Sequence, residues 1–167
     1  MSVVSNTGPL IALAKVDQLH LLERLFGQVY IPPAVHRELL AKSGLEAARL
    51  DEALSSFVQV KERPMFPAEV EALTNSLDVG EQEAVALAQQ LSLPLVMDDR
   101  LGREAAQRLN IAVTGCVGVL IRAKQDSRVS SVRALLEQMR TQGYWLSDEL
   151  IAAAASQAGE PGPLPNG

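Results

Sequence analysis

Sulfur and imidazole side chains are scarce in this sequence, which contains one cysteine and two histidines among 167 residues. The single thiol, Cys116, cannot form a disulfide within the chain, and no set of cysteines and histidines has the spacing of a zinc site. His20 and His36 have no nucleophile or metal ligand at a meaningful spacing, so we expect both to be structural or surface residues. The sequence therefore argues against a disulfide framework, a zinc site and a catalytic histidine.

Long apolar runs are also missing from the sequence. No stretch approaches the roughly 20 apolar residues that cross a bilayer, and the start of the chain lacks the basic and apolar regions of a secretory signal. Apolar residues make up 47% of the chain and charged residues 21%, which is ordinary for one globular domain. We predict a cytoplasmic protein without a membrane segment, with one domain over 1–155 and a flexible tail, rich in glycine and proline, over 156–167.

Negative charge predominates, with a formal net charge of −5, but basic residues are concentrated in one part of the chain. The segment 99–140 has eight basic and four acidic residues, and the rest of the chain has seven basic and sixteen acidic ones. This division suits an enzyme whose carboxylates bind metal while its arginines meet phosphate. Solvated helix faces would explain it equally well.

Short runs rich in apolar and β-branched residues alternate with helical patterns along most of the chain. Predicted strands lie at 2–5, 28–31, 57–60, 93–97 and 111–113. Helical patterns cover 10–25 with a break near residue 17, then 35–40, 45–54, 79–91, 100–109, 117–124, 129–139 and 150–155. Asn110 stands where a residue in the left-handed conformation ends a helix. The alternation predicts right-handed βαβ units, and hence an α/β fold with a mostly parallel sheet covered by helices on both faces.

Polar residues directly follow three of the predicted strands. Asn6 and Thr7 follow the first strand, Asp98 and Asp99 follow the fourth, and Thr114 follows the fifth. Sites in open parallel sheets form beyond the carboxyl ends of the strands. We therefore expect these side chains to meet at one edge of the sheet.

Two helical glutamates, Glu38 and Glu81, are expected to join this group. Glu38 flanks the apolar stripe of its helix, and Glu81 lies in line with an apolar stripe that includes Val85. Carboxylates directed toward an interior repel each other unless a cation compensates them. A set of oxygen ligands with little histidine or cysteine favours Mg²⁺ or Mn²⁺.

Helix capping is the alternative role for several of these carboxylates. Asp78 and Glu81 have the spacing of a capping box, in which Glu81 would only stabilise the start of its own helix. Asp98 or Asp99 could cap the helix that follows them. Glu38 could be a solvated helix residue.

Arg100 and Arg103 directly follow the aspartate pair and are the best candidates to bind phosphate. The alternative is a salt bridge within the helix, because Arg100 precedes Glu104 by four residues. The small residues at 114–118 could hold an anion through free backbone amides at a helix start. Close packing of that helix on the sheet explains their glycines more simply.

Five segments in a fixed order carry a family resemblance. They are VVSNTGPLI (3–11), VYIPPAVHREL (29–39), GEQEAVALA (80–88), MDDRLGR (97–103) and TGCVGVL (114–120). Together they resemble the PIN domains, in the subgroup similar to the ribonuclease toxins of bacterial and archaeal toxin–antitoxin pairs. The resemblance extends from residue 3 to about residue 155 and implies a PIN-like three-layer sandwich, with a central, mostly parallel sheet flanked by helices.

The resemblance also implies a metal-dependent endoribonuclease that cleaves single-stranded RNA with the help of one or two Mg²⁺ or Mn²⁺ ions. The residues that it assigns to the metal are Asn6, Glu38, Glu81, Asp98 and Asp99, of which the four carboxylates would be catalytic. Thr114 is a possible polar neighbour of this set, and our candidates for contact with the substrate are Thr7, Arg100, Arg103 and Thr114. Either aspartate of the pair could align with the usual ligand of the family.

Asn6 departs from the family pattern, because PIN domains in general have an aspartate there. An amide oxygen coordinates metal without supplying negative charge or acting as a base, although asparagine also occurs in the toxin subgroup. The leading hypothesis is a toxin with a small antitoxin protein as partner and a homodimer as its assembly. The alternatives are a catalytically weak or inactive PIN-like module that binds RNA or a protein partner, and a small nucleotide-binding or flavodoxin-like regulator. No glycine-rich loop follows the first strand, which disfavours the regulator.

Overall fold

Five short strands form one sheet in which every neighbouring pair is parallel. In chain order they are β1 (Ser2–Ser5), β2 (Gln28–Ile31), β3 (Val58–Val60), β4 (Leu95–Val96) and β5 (Val113–Thr114). Their spatial order is β3-β2-β1-β4-β5. The computed structural model describes residues 1–162. It confirms the predicted α/β class, with a sheet that is wholly parallel.

Ten helices accompany the sheet within the part of the chain that the structure describes. They are α1 (Thr7–Lys15), α2 (His20–Phe26), α3 (Pro33–Leu40), α4 (Leu45–Leu54), α5 (Ala68–Thr74), α6 (Val79–Leu91), α7 (Arg100–Arg108), α8 (Cys116–Gln125), α9 (Val132–Thr141) and α10 (Asp148–Gln157). The chain divides into two compact units, Met1–Cys116 and the part from Val117 onward. The whole sheet and α1 to α7 belong to the first unit. None of the helices in residues 1–162 is both long and apolar enough to cross a membrane.

The centre of the sheet is completely buried, as the apolar runs of its strands require. Val3 and Val4 of β1 and Leu95 and Val96 of β4 are 0% exposed. Strands of a parallel sheet are covered on both faces, so their sequences are apolar throughout rather than alternating. α6 packs against β1 and β4 with a run of buried residues, Ala84–Ala88. The two central strands and α6 thus form the frame around which the polar strand ends are arranged.

β4 and β5 are shorter than the sequence predicted, because helix terminations take up their first residues. The N–H of Leu93 donates to the carbonyl of Ala88, and the N–H of Ile111 donates to the carbonyl of Ala106. Each bond closes a turn around a residue with positive φ, Ser92 (55°) or Asn110 (59°). The left-handed conformation predicted at Asn110 is confirmed, and an apolar residue after such a terminator belongs to the helix cap.

One helix of the first unit, α5, was not predicted. It begins after Pro67 and buries only Val70 and Thr74, with Thr74 Oγ1 donating to the Val70 carbonyl at 2.7 Å. A helix of seven residues has too few apolar positions to show a period, which is why the sequence pattern missed it.

In the second unit, α10 continues to Gln157 and the chain after it remains in contact with α9. Glu160 accepts hydrogen bonds from the N–H groups of Val132 (2.6 Å) and Arg133 (3.0 Å) and pairs with Lys124 at 3.3 Å. The tail predicted for 156–167 therefore starts inside a helix, and its first residues are held by hydrogen bonds. Its last part lies outside the described residues, and the domain limits of 1–155 stay a prediction.

Candidate active site

The polar residues after β1 and β4 are neighbours at the carboxyl edge of the sheet. The Asn6 N–H donates to the Val96 carbonyl at 3.2 Å, and the Met97 N–H donates to the Thr114 carbonyl at 2.8 Å. The chain leaves β1 toward β2 on one side, whereas β4 and β5 lie on the other side, so the strand order reverses between β1 and β4. Such a reversal opens a crevice that serves as a binding site in parallel sheets. The predicted convergence of these strand ends is present.

Glu38 is brought to this edge by α3, which starts at Pro33 directly after β2. Its Oε2 accepts a hydrogen bond from the Thr7 hydroxyl in the first turn of α1. Its Oε1 lies against the backbone of Gly80, so closely that a Cβ at that position would collide with it. Glu38 therefore joins the starts of α1 and α6 rather than standing alone in solvent.

Glu81 has the predicted capping role and also faces other negative charge. Its N–H donates to Asp78 Oδ1 at 2.8 Å, and its Oε2 accepts from the Asp78 N–H at 3.1 Å, which completes a capping box. Burial, together with the negative charges of Asp78 and Asp99, raises the pKa of Glu81 to about 7. The mutual repulsion of carboxylates expected from the sequence thus acts on Glu81, in addition to burial.

The two aspartates after β4 cap different helices. Asp99 Oδ2 accepts from the Gly102 N–H at 2.7 Å at the start of α7, and Asp98 Oδ1 accepts from the Cys116 N–H at 2.7 Å at the start of α8. The capping alternative, in which one of the pair caps the helix that follows, is therefore confirmed for Asp99, whereas the contact of Asp98 with the start of α8 was not predicted. Each of these hydrogen bonds uses one of two carboxylate oxygens, so capping does not decide between them as metal ligands.

Gly115 allows Arg103 and Asp98 to share one space. A Cβ on Gly115 would collide with Asp98 Oδ1 and would lie 2.9 Å from Arg103 Nη1. The guanidinium of Arg103 therefore reaches the strand ends, next to the carboxylates. Arg100 behaves differently, because its side chain is 82% exposed and pairs with Glu104 at 3.4 Å, as the salt-bridge alternative stated. Thr114 is the last residue of β5.

Glu83 is a buried carboxylate that the sequence reasoning did not single out. It holds the start of α3, the helix that carries Glu38, in place. Glu83 is 3% exposed, and its Oε1 accepts from the Ala34 N–H at 3.0 Å, in the first turn of α3. Its Oε2 lies 3.9 Å from Arg63 Nε. Glu83 thereby fixes the start of the helix that carries Glu38. Its one distinguishing signal is a glutamate directly before the apolar run 84–88, which is too weak to identify a partner elsewhere in the chain.

The side chain of Asn6 tests whether a metal ion fits this edge of the sheet. The residue is 7% exposed, and its Oδ1 is buried without a hydrogen-bond donor. Buried oxygens of native proteins are almost always satisfied, and an unsatisfied one costs about 1–3 kcal/mol. The amide oxygen of Asn6, the carboxylates at the same edge of the sheet and the raised pKa of Glu81 are of the kind that a hard divalent cation such as Mg²⁺ or Mn²⁺ prefers.

The candidate carboxylates nevertheless do not form one cluster in the part of the chain that the structure describes. Within residues 1–162, no three His, Cys, Asp or Glu side chains are grouped closely enough to hold a metal ion. Glu38 lies beside Thr7 and Gly80, while Glu81 lies in the field of Asp99. The structure thus assembles the predicted residues at one edge, and their role as a metal-ligand set stays a prediction.

Comparison with known families extends over nearly the whole chain. A family model described as a PIN domain matches residues 2–160. A search of curated proteins found no match to the chain. The match agrees with the resemblance that the five segments carry and favours a nuclease over the nucleotide-binding regulator. Membership of the toxin subgroup stays a prediction.

Proposed function

The chain belongs to the PIN-domain family, whose members are in general nucleases, and from this premise we propose that it is a metal-dependent endoribonuclease that cleaves single-stranded RNA. One observation carries the proposal: the buried, unsatisfied Oδ1 of Asn6 lies at the strand reversal, directly after β1 and beside the end of β4. A buried oxygen without a donor at that place would be satisfied by a bound cation.

The residues that would hold the ion are Asn6, Glu38, Glu81 and the Asp98/Asp99 pair. When bound, Mg²⁺ or Mn²⁺ supplies Lewis acidity, which makes water a better nucleophile at neutral pH and offsets negative charge developing on the phosphate. Asn6 contributes an oxygen but no charge, so the charge of the site comes from the glutamates and aspartates.

The remaining polar residues orient the carboxylates and the substrate. The Thr7 hydroxyl donates to Glu38 and fixes the direction of its carboxylate. Arg103, held against Gly115 beside Asp98, has a bidentate guanidinium suited to a phosphate oxygen pair. Arg100 is exposed and pairs with Glu104 on the surface of α7, so it would add long-range attraction for RNA rather than a fixed contact.

We further propose that the enzyme is the toxin of a toxin–antitoxin pair and acts in the cytoplasm as a homodimer. A small antitoxin protein would occlude the acidic cleft. The five segments that resemble the toxin subgroup support this proposal. A gene for such a protein next to this one, and a stable complex of the two that blocks RNA cleavage, are the expected findings.

A cleavage assay tests the enzymatic proposal. Purified protein is incubated with end-labelled single-stranded RNA in Mn²⁺ or in EDTA, beside Glu38→Gln and a control variant, Glu137→Gln, which removes an exposed carboxylate of α9. We expect cleavage by the wild type and by Glu137→Gln in Mn²⁺ only, and a loss of at least tenfold in Glu38→Gln. Equal cleavage by Glu38→Gln would reveal a contaminating nuclease and refute the proposed site.

A second candidate function is an RNA-binding or protein-binding module with little or no turnover. The specific observation in its favour is Asn6, which lowers the negative charge of the site by one. Metal-independent RNA binding without cleavage, in the same assay, is the result expected for such a module.

A further inference from the structure

We propose that a groove beside the candidate active site binds a nucleobase of the single-stranded substrate, by stacking on Arg63 and by hydrogen bonds to amide side chains. The inference rests on the proposed function, because it assumes RNA as the ligand. The groove has a volume of about 580 Å³ and lies entirely within the first unit. Its lining includes Arg63, Phe66, Glu71, Asn75 and Gln82.

The groove lies next to the candidate metal ligands. Gln82 follows Glu81 in the first turn of α6, and the loop that carries Arg63 begins where β3 ends, at the same carboxyl edge of the sheet. The Lys61 N–H donates to the Ile31 carbonyl at 2.8 Å and fixes the start of that loop at the end of β2. A nucleotide neighbouring the scissile phosphate is therefore the part of the substrate that the groove would meet.

Arg63 is held as a stacking platform. Its guanidinium lies over the Phe66 ring, 5.0 Å from the centroid, and its Nε is 3.9 Å from the buried carboxylate of Glu83. The side chain is nevertheless 71% exposed. A guanidinium fixed on one face by an aromatic ring and exposed over most of its surface is the planar group on which unpaired bases stack.

The loop around Arg63 is irregular but well tethered. The Met65 N–H donates to Gln90 Oε1 at 2.8 Å, and Lys61 lies over the Tyr30 ring, 4.2 Å from its centroid. Pro64 and Pro67 restrict the backbone on either side of Phe66. A surface ordered before binding loses little conformational entropy when a ligand arrives.

The charge of the groove favours a base over a phosphate. Arg63 is its one cation, and the carboxylates of Glu83 and Glu71 offset that charge. Asn75 and Gln82 instead supply neutral donors and acceptors, and Gln82 Nε2 already donates to the Thr74 carbonyl, which orients its amide. A flat, uncharged ring with hydrogen-bonding edges matches this lining better than an anion does.

Strand binding in EDTA tests the groove separately from catalysis. Fluorescence anisotropy would compare a labelled oligoribonucleotide with the same strand carrying abasic residues, which retains every phosphate. We expect the wild type to bind the base-bearing strand roughly tenfold more tightly, since stacking of one base has about that effect. Arg63→Lys, which keeps the charge without the plane, and Phe66→Leu should both abolish the difference. Arg24→Gln, at an exposed position of α2, should preserve it.

Three outcomes would overturn the inference: equal binding of the two strands by the wild type, unchanged discrimination in Arg63→Lys, or competition by free AMP or UMP as strong as that by the strand. Thermal melts of each variant establish that it folds. Cleavage in Mn²⁺ together with base-independent binding refutes the groove and leaves the nuclease standing. Base-dependent binding by a protein that never cleaves refutes the nuclease and leaves the groove standing. If cleavage occurs, Arg63→Lys should raise KM and leave kcat unchanged.

Discussion

At the scale of single residues, Asn6 limits the charge of the site, and its replacement by aspartate should reverse that limit. Asn6→Asp puts a negative charge where a buried amide oxygen has no donor, so we expect the affinity for Mn²⁺ to rise by about tenfold or more. In EDTA the same change adds one more charge to the carboxylates and should lower the melting temperature. Isothermal titration with Mn²⁺ and paired melts check both effects. An unchanged affinity would mean that Asn6 is no ligand.

Gly80 is a second residue at which the site and the stability of the fold respond differently. Alanine is the better helix former by about 1 kcal/mol, but its Cβ would displace the carboxylate of Glu38. Glu38 is exposed, so its side chain moves without much cost to folding. We expect Gly80→Ala to melt at or above the wild-type temperature and to cleave RNA at least tenfold more slowly. Full activity in this variant would show that the position of Glu38 does not matter.

Residue-level prediction from the sequence succeeded where partners are near in the chain. The capping box of Asp78 and Glu81 depends on a spacing of three residues, and the structure contains it. Glu83 was missed because its partner, Ala34, is 49 residues away and nothing local distinguishes its carboxylate from a solvated one. For the same reason the sequence could not distinguish the role of Asp98 from that of Asp99. The partner of Asp98, Cys116, is brought to it only by the fold, whereas Asp99 binds the nearby Gly102.

At the scale of helices and strands, the start of α9 depends on a side chain from beyond α10. Glu160 accepts from the N–H groups of Val132 and Arg133, and Ser131 Oγ accepts from the Ala134 N–H at 3.1 Å. Burial alone would raise the pKa of Glu160, but the two backbone hydrogen bonds and the Lys124 ammonium outweigh it and lower the pKa. The first turn of α9 is thus satisfied by one charged cap and one neutral cap.

Removal of this charge should destabilise the second unit in a pH-dependent way. A carboxylate with a lowered pKa stabilises the fold above its ordinary pKa of 4.5, and that contribution is lost as pH falls through the lower folded value. We expect Glu160→Gln to lower the free energy of unfolding by about 1.5–3 kcal/mol at pH 7, the usual range for hydrogen bonds to charged groups. The cost should shrink below pH 4.5. Urea unfolding at pH 7 and pH 3.5 measures it, with Glu137→Gln as the control that should show neither effect.

Prediction of whole elements succeeded for the strands and for the long helix α6, and it failed at the ends of helices. The sequence identified all five strands and α6, whose apolar stripe is continuous. It misjudged the starts of β4 and β5, because Leu93 and Ile111 look like strand residues but close helix turns around Ser92 and Asn110. Local hydropathy does not distinguish these two uses of an apolar residue.

At the scale of the whole molecule, the chain order of the strands creates the site, because no segment by itself gathers the carboxylates. Only the reversal between β1 and β4 places the residue after β1 beside those after β4. Alternation of strands and helices predicted a parallel sheet, and the rule that sites form at carboxyl ends then selected Asn6 and the aspartate pair. The positions of the side chains within the crevice could not be predicted from the sequence, because they depend on which helix start each carboxylate binds.

Without metal, the titrations of Glu81 and Glu160 should change the stability of the protein with pH in opposite directions. The pKa of Glu81 is raised to about 7, so ionisation is unfavourable in the folded state and its contribution to stability falls as pH rises from about 4.5 to about 7. The lowered pKa of Glu160 acts in the other direction, because its contribution is lost as pH falls below 4.5.

The Glu81→Gln variant, which keeps a capping side chain, tests the first titration. In EDTA, its melting temperature should rise relative to that of the wild type as pH increases from 4.5 to 8. Mn²⁺ should remove that gain, since a bound cation favours the ionised glutamate of the wild type. Melts followed by far-UV circular dichroism across this pH range measure the effect. If Glu81→Gln still gains stability over the wild type in Mn²⁺, Glu81 is not a metal ligand.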